Sequence, residues 1–172
     1  MKDNQGHKLI QSIQLRHSSW LEEGTHRSFI IEFHPNFNKL SMLIHFKHLS
    51  ILKLIFHYRK KSAENRKNKK QYPQHKMRLS FDNTLELLTY LSIKSYEANW
   101  FEIRFKNGWV IKNDLLYGLE FITNNSNERD SLLEKFISIS GQGPIDINSL
   151  EINETYFLGL DGSLTHKPIF IF

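Results

Sequence analysis

Residues 100–123 alternate large apolar side chains with polar ones, and turn-forming residues interrupt the alternation twice. The apolar positions are Phe101, Ile103 and Phe105, then Trp109 and Ile111, then Leu119 and Phe121. A period of two is typical of half-buried strands, and Gly108 and Gly118 stand where short turns join neighbouring strands. The stretch predicts an antiparallel meander, so the rest of the chain has to fold around a sheet.

Further strands and helices are predicted on both sides of this meander. Strand patterns lie at 9–15, 28–33 and 77–81, and a last hairpin pairs 156–160 with 164–172. One helix pattern is capped by Asp82 or Asn83 and runs to about Ile93; another is capped by Ser126 or Asn127 and ends at Gly141. The predicted class is α+β: a largely antiparallel sheet of hairpins and a meander, with two or three packed helices.

Residues 39–58 fit two interpretations. Their apolar side chains fall at helical spacings, as in one buried helix. The segments LSMLIHF and SILKLIFHY suit two adjacent strands equally well, because short apolar runs do not separate the two structures by period. The Ile, Phe and His content favours two strands, and the sequence does not decide the matter.

Composition limits the class of protein. The chain has 172 residues, 40% hydrophobic and 13% aromatic, which suits one folded domain spanning 1–172. With no cysteine, disulfide frameworks, thiolate zinc sites and cysteine nucleophiles are excluded. The first 17 residues do not resemble a secretory signal, and His45, Lys47, His48 and Lys53 interrupt the most apolar window. We expect a cytoplasmic protein without a membrane partner.

Positive charge is concentrated in residues 59–78. This basic segment holds nine Lys or Arg against a single acid, Glu64, which gives a net charge of +8. Because the whole chain carries +5, the remaining residues together carry −3. Its Ser, Asn, Lys and Gln residues make a poor core, so we predict an exposed loop or arm over 61–74.

Such a segment suits nucleic acid, because Lys and Arg neutralise phosphates and release counterions. Tyr58, Tyr72 and His75 can add stacking on unpaired bases. The predicted nucleic-acid-binding residues are Arg59, Lys60, Lys61, Arg66, Lys67, Lys69, Lys70, Tyr72, Lys76 and Arg78. No signature of a sequence-reading module accompanies them. The other interpretation is a solvated loop, or a contact surface for an acidic protein.

The meander offers a rival site for protein binding. Its candidate residues are Trp100, Glu102, Trp109, Asp114, Tyr117 and Glu120. Aromatic rings beside acids make a docking surface if they face solvent, whereas large aromatics more often lie in the core.

Nine histidines raise the question of catalysis or metal binding. His17, His26 and His34 lie near Glu22, Glu23 and Glu32 in sequence, a set from which a metal-independent nuclease can draw a base and an acid. No HExxH or comparable carboxylate-bearing motif occurs, so we expect no metal and no cofactor.

The predicted function is a non-catalytic binding protein whose basic segment contacts an acidic partner, RNA or DNA with little sequence preference. Two alternatives stay open: a protein-binding neutraliser of the antitoxin or immunity type, and a small metal-independent nuclease that uses histidines. The sequence determines neither the identity of the partner nor the oligomeric state.

Overall fold

The computed structural model describes residues 9–17, 26–46, 48–57, 100–159 and 161–166, and the backbone of residues 69–73. Contacts divide the chain into two compact units, Met1–Phe37 with Tyr117–Phe172 and Asn38–Leu116, called the first and second unit below. Each unit is described by itself.

Nine strands and one α-helix lie in the described part of the chain. The strands are β1 Ile10–His17, β2 Arg27–Phe33, β3 Ile51–His57, β4 Lys69–Pro73, β5 Trp100–Phe105, β6 Val110–Lys112, β7 Gly118–Thr123, β8 Thr155–Leu158 and β9 Leu164–Thr165. Helix α1 is Ser126–Ser140, and two 3-10 helices span Lys39–Phe46 and Ile147–Ser149.

In the first unit the strands run in the order β7-β2-β1-β8-β9, with antiparallel pairing throughout. Helix α1 packs on β2 and β7 through a cluster of three buried rings. Phe121 lies 5.1 Å from Phe29 and 4.9 Å from Phe136, measured between ring centroids. Fully burying a side chain of this kind stabilises the fold by roughly 1.5–3 kcal/mol relative to leaving it exposed, so these rings anchor the helix on the sheet.

Helix α1 has defined signals at both ends. Asn125 has an extended backbone and accepts the Glu128 N–H on its side chain at 2.9 Å. The helix therefore starts one residue earlier than the predicted cap at Ser126 or Asn127 implies. Gly141 ends the helix as predicted, with a φ of 78° that favours glycine.

In the second unit the strands run in the order β4-β3-β5-β6, again antiparallel. One face of this sheet is apolar, because Phe101, Ile103 and Phe105 alternate along β5 and are buried. Phe46, at the end of the first 3-10 helix, stacks on Phe105 with ring centroids 5.8 Å apart. The core of the second unit therefore lies between this helix and the apolar face.

The α+β class with a largely antiparallel sheet is confirmed, and residues 39–58 adopt neither predicted structure as a whole. Lys39–Phe46 is a 3-10 helix and Ile51–His57 is a strand. The helix forms because the Asn38 side chain accepts the Leu40 N–H at 3.1 Å, and because the helical spacing buries Met42, Leu43 and Phe46 together.

The predicted basic loop is wrong over its last residues. Lys69–Pro73 forms strand β4, which pairs with β3 from His57 opposite Lys69 to Lys53 opposite Pro73. Main-chain hydrogen bonds offset the low strand propensity of Lys and Gln, and proline is tolerated at the end of a strand that is last in its sheet order.

Other predictions lie outside the described residues. They are the connection 18–25, the rest of the basic segment, the strand 77–81, the helix from Asp82 or Asn83, and the second half of the last hairpin beyond His166. The single domain over 1–172 stays a prediction.

Candidate functional site

The second unit carries a polar row on the face opposite its apolar core. Glu102, in the middle of β5, is only 1% exposed, yet both carboxylate oxygens have partners. Arg104 Nε donates to Oε2 at 2.8 Å, and His57 Nε2 lies 2.5 Å from Oε1. Alternation along β5 puts Arg104 on the same face as Glu102, and the pairing of β3 with β5 brings His57 to it.

His57 is held from a second side by an aromatic ring. Trp100 stands directly opposite His57 in the β3–β5 ladder, and the two rings are parallel within 3° with centroids 3.7 Å apart. The plane of the imidazole is therefore fixed by stacking as well as by its hydrogen bond to Glu102.

The hydrogen-bond pattern assigns the nitrogens of a neutral His57 ring. Glu102 is an acceptor toward Arg104, so its other oxygen accepts as well, and Nε2 of His57 is the donor. Nδ1 is then the acceptor nitrogen, and it has no hydrogen-bond partner among the described residues. The His57 side chain is 21% exposed, so a fixed imidazole with an open acceptor reaches solvent.

Lys112 completes the group, which we call the Glu102 cluster: His57, Trp100, Glu102, Arg104 and Lys112. Lys112 stands opposite Glu102 on β6. Its ammonium lies 5.3 Å from the centroid of the Trp100 ring and 3.5 Å from the Asp114 carboxylate. The cluster thus combines a buried carboxylate with an arginine, a lysine, a stacked indole and an imidazole.

Access to this cluster is limited to its rim. Ile55 and Val110 are buried, as are Glu102 and Lys112, so the centre of this face is closed to solvent. His57, Trp100 and Arg104 are half-buried, and Lys53, which pairs with Arg104 across the ladder, is exposed. A ligand therefore meets rings and cations at the rim before it meets the carboxylate.

Three of the predicted nucleic-acid-binding residues belong to β4. Lys69 stands opposite His57, Lys70 opposite Phe56 and Tyr72 opposite Leu54. The others lie outside the described residues: Arg59, Lys60, Lys61, Arg66, Lys67, Lys76 and Arg78. The register thus brings one predicted cation, Lys69, to the cross-strand position beside His57.

The candidates for protein docking divide between the two units. In the second unit, Trp100 and Trp109 are half-buried and Asp114 is exposed, while Glu102 is engaged inside its cluster. In the first unit Tyr117 is exposed. Glu120 is buried there, accepts the Ser28 hydroxyl at 2.9 Å and lies 3.8 Å from Arg16. Asp114 also pairs with Lys112 at 3.5 Å, so all three predicted acids have partners within the protein.

The histidines singled out for a nuclease do not form one site. His26 precedes β2 and His34 follows it, so the whole strand separates them by roughly 27 Å. Glu22 and Glu23 lie outside the described residues, and Glu32 accepts the Ser12 hydroxyl at 3.0 Å. Within the described ranges, no group of three or more His, Asp or Glu side chains is placed to hold a metal ion.

A cavity of about 390 Å³ lies in the first unit, at the end of α1. Its lining is largely apolar, with Ile137, Pro144 and Ile145. The side chain of Gln142, also in the lining, is fully used, because it exchanges hydrogen bonds with both backbone groups of Ile10 and donates to the Gly159 carbonyl. The cavity therefore presents no reactive group comparable to the Glu102 cluster.

No protein-family model, curated protein or solved structure matches the chain. Over the described residues, no helix is both long and apolar enough to cross a membrane. What the chain does has to follow from these residues themselves.

The role of His57 was missed at the sequence level. Its partner Glu102 is 45 residues away, and only the register between β3 and β5 brings the two together. The sequence did contain one signal, because Trp100, Glu102 and Arg104 alternate along one strand and share its polar face. This alternation predicts a polar row, but it does not identify the residue of the neighbouring strand that contacts the row.

Proposed function

We propose that the protein binds RNA or DNA with little sequence preference, through the basic segment 59–78 and the rim of the Glu102 cluster. The pairing of His57 with Lys69 carries this proposal. This pairing fixes both ends of the eleven-residue link 58–68 at neighbouring positions of the sheet. A link of eleven residues that leaves the sheet and returns to it can extend at most roughly 18 Å from the sheet. The sequence of this link carries five cations: Arg59, Lys60, Lys61, Arg66 and Lys67.

The same end of the sheet offers aromatic surface. His57 and Trp100 are half-buried there, beside the strand ends from which the link starts. Cations that neutralise phosphates, next to rings that stack on bases, suit a nucleic-acid strand. Phosphate contacts carry no sequence information, so little sequence preference is expected. A cytoplasmic location belongs to the same proposal, and fractionation of cells expressing tagged protein checks it.

Two charge reversals in the basic segment test the proposal. Lys67→Glu with Lys69→Glu should weaken binding to a labelled 20-nucleotide RNA at least about tenfold, because two attractive phosphate contacts become repulsive. Lys106→Glu with Lys135→Glu is the matched control, since both lysines are exposed elsewhere and the net charge changes equally. Fluorescence anisotropy measures the affinities, and circular dichroism checks that both variants fold.

Equal weakening in the two double variants would mean that net charge alone governs binding, and it would refute a site in the basic segment. Unchanged binding in the Lys67 and Lys69 variant would refute the segment as a contact altogether.

A neutraliser of the antitoxin or immunity type is the second candidate. Leu116 and Tyr117 favour it, because these two consecutive large side chains are 78% and 45% exposed. Exposed apolar side chains that adjoin one another suit a protein partner, whereas singly scattered ones are ordinary. A complex that co-purifies in high salt and is lost in Leu116→Asp would support this candidate, since high salt removes nucleic acid held by phosphates.

A further inference from the structure

We infer that His57 acts as a general base that cleaves RNA, with Glu102 as its positioning residue. The inference rests on the proposed binding of nucleic acid. It adds a reaction to that binding and narrows the substrate to RNA, since the attacking group is the ribose 2′-hydroxyl. It also goes beyond the non-catalytic role expected from the sequence.

The geometry at His57 meets the requirements of a general base. A base needs an acceptor nitrogen, a fixed orientation and access to the substrate. Glu102 holds Nε2 at 2.5 Å, which leaves Nδ1 as the acceptor. Trp100 fixes the ring plane by parallel stacking at 3.7 Å. The His57 side chain remains 21% exposed, so the ring is not sealed from solvent.

Glu102 has the environment of an orienting group. It is 1% exposed and has no direct access to substrate, so it acts only through His57. Arg104 donates to its second oxygen at 2.8 Å, which stops the carboxylate from rotating away from the imidazole. A substrate therefore meets one imidazole in one orientation.

The cross-strand register puts one lysine of the basic segment beside His57. Lys69 stands directly opposite His57 in the pairing of β3 with β4. Positive groups near the phosphoryl oxygens stabilise the negative charge that develops on them during attack. A lysine at this position of the ladder suits that role.

The reaction is an internal transesterification. His57 Nδ1 takes the proton from the 2′-hydroxyl, and the 2′-oxygen forms a bond to the adjacent phosphorus. The bond from phosphorus to the 5′-oxygen breaks, and that oxygen takes a proton from water. His57 then returns its proton to the hydroxide left behind. The products are a 2′,3′-cyclic phosphate and a 5′-hydroxyl end, and no electrons are transferred. DNA is bound and not cleaved, because it lacks the attacking hydroxyl.

The experiment compares three labelled 20-nucleotide strands of one sequence, RNA, 2′-O-methyl RNA and DNA, each incubated with the full-length protein. We expect cleavage of RNA alone, with 2′,3′-cyclic phosphate ends detected by mass spectrometry. His57→Ala should lower the rate by about 10²–10⁴-fold, the usual contribution of a general base. The rate is measured with RNA fully bound, so that loss of the His57 ring from the binding surface does not enter it, and added imidazole should restore part of the rate.

Two further variants keep the test decisive. His48→Ala, an exposed histidine of the second unit, is purified in the same way and should cleave at the unsubstituted rate. His57→Gln retains an amide that can donate to Glu102 and lacks a base, so it replaces His57→Ala if the latter does not fold.

The outcomes separate the two proposals. RNA that is bound and left intact by the unsubstituted protein overturns the catalytic inference and leaves the binding proposal standing. Equal rates in the unsubstituted protein and in the His57 variants also overturn it, because a contaminating nuclease would then be cleaving. Absence of both binding and cleavage at high protein concentration overturns both proposals.

Discussion

Glu102→Gln is expected to destabilise the second unit, because glutamine preserves the shape of the side chain and removes half of its acceptor capacity. Glutamine offers one oxygen and one amide: if the oxygen faces Arg104, the amide faces His57, whose neutral ring must move its proton from Nε2 to Nδ1 to accept, and both hydrogen bonds lose the charged acceptor. A hydrogen bond that involves a charged group contributes about 1.5–3 kcal/mol. Arg104 and His57 are 34% and 21% exposed, so either can turn toward water and recover part of this loss.

The net loss in the free energy of unfolding is therefore expected at about 1–2 kcal/mol. Urea unfolding followed by tryptophan fluorescence measures it, since Trp100 and Trp109 both belong to the second unit. For a chain of this length the same loss lowers Tm by roughly 2–8 °C. Glu134→Gln is the matched control, because Glu134 is exposed on α1 and its replacement should change stability by less than about 0.5 kcal/mol.

A Glu102→Gln protein whose stability lies within about 0.5 kcal/mol of the original would refute the reasoning. The carboxylate would then not be holding His57, and the orientation of the imidazole would need another cause.

Two further outcomes test the fold. Gly118→Ala should lower the stability of the first unit by about 1–3 kcal/mol in thermal unfolding, because an added Cβ would stand 2.6 Å from the Ile31 carbonyl oxygen in the neighbouring strand. The control is Ser131→Ala, at an exposed position of α1, which should leave Tm nearly unchanged. Burial lowers the pKa of Lys39, and the Asp114 carboxylate only partly offsets this. At pH values between the lowered and the ordinary lysine pKa, the unfolded chain therefore binds more protons than the folded protein, so the free energy of unfolding should rise with pH across that window. Lys39→Met should remove this rise when stability is measured by urea unfolding.

The fold followed from the sequence where local patterns were strong. Alternation placed β5, and the glycine after α1 placed the end of the helix. The same logic failed at Lys39–Phe46, because a short apolar run suits a strand as well as a helix, and the deciding contact is the cap from Asn38. It also failed at β4, where charge and low strand propensity indicated a loop and pairing with β3 prevailed.

The candidate site was only partly predictable, because it depends on the register between β3 and β5. The sequence identified the polar row of β5 and the concentration of charge after β3. The contact between His57 and Glu102 depends on how two strands far apart in the chain align, and no local pattern determines that alignment. Once the register is known, Lys69 of the basic segment stands opposite His57 of the Glu102 cluster.

The salt dependence of binding tests the central claim most directly. The affinity of the unsubstituted protein for single-stranded RNA and DNA is measured by fluorescence anisotropy between about 50 and 200 mM salt, the range over which phosphate contacts weaken steeply. If the five cations of the link contact phosphates, the logarithm of affinity should fall against the logarithm of salt with a slope of about −3.5, a loss of roughly 10² across that range. Absence of binding at the lower salt concentration, or an affinity that does not change with salt, would contradict the assignment of the basic segment as the nucleic-acid contact.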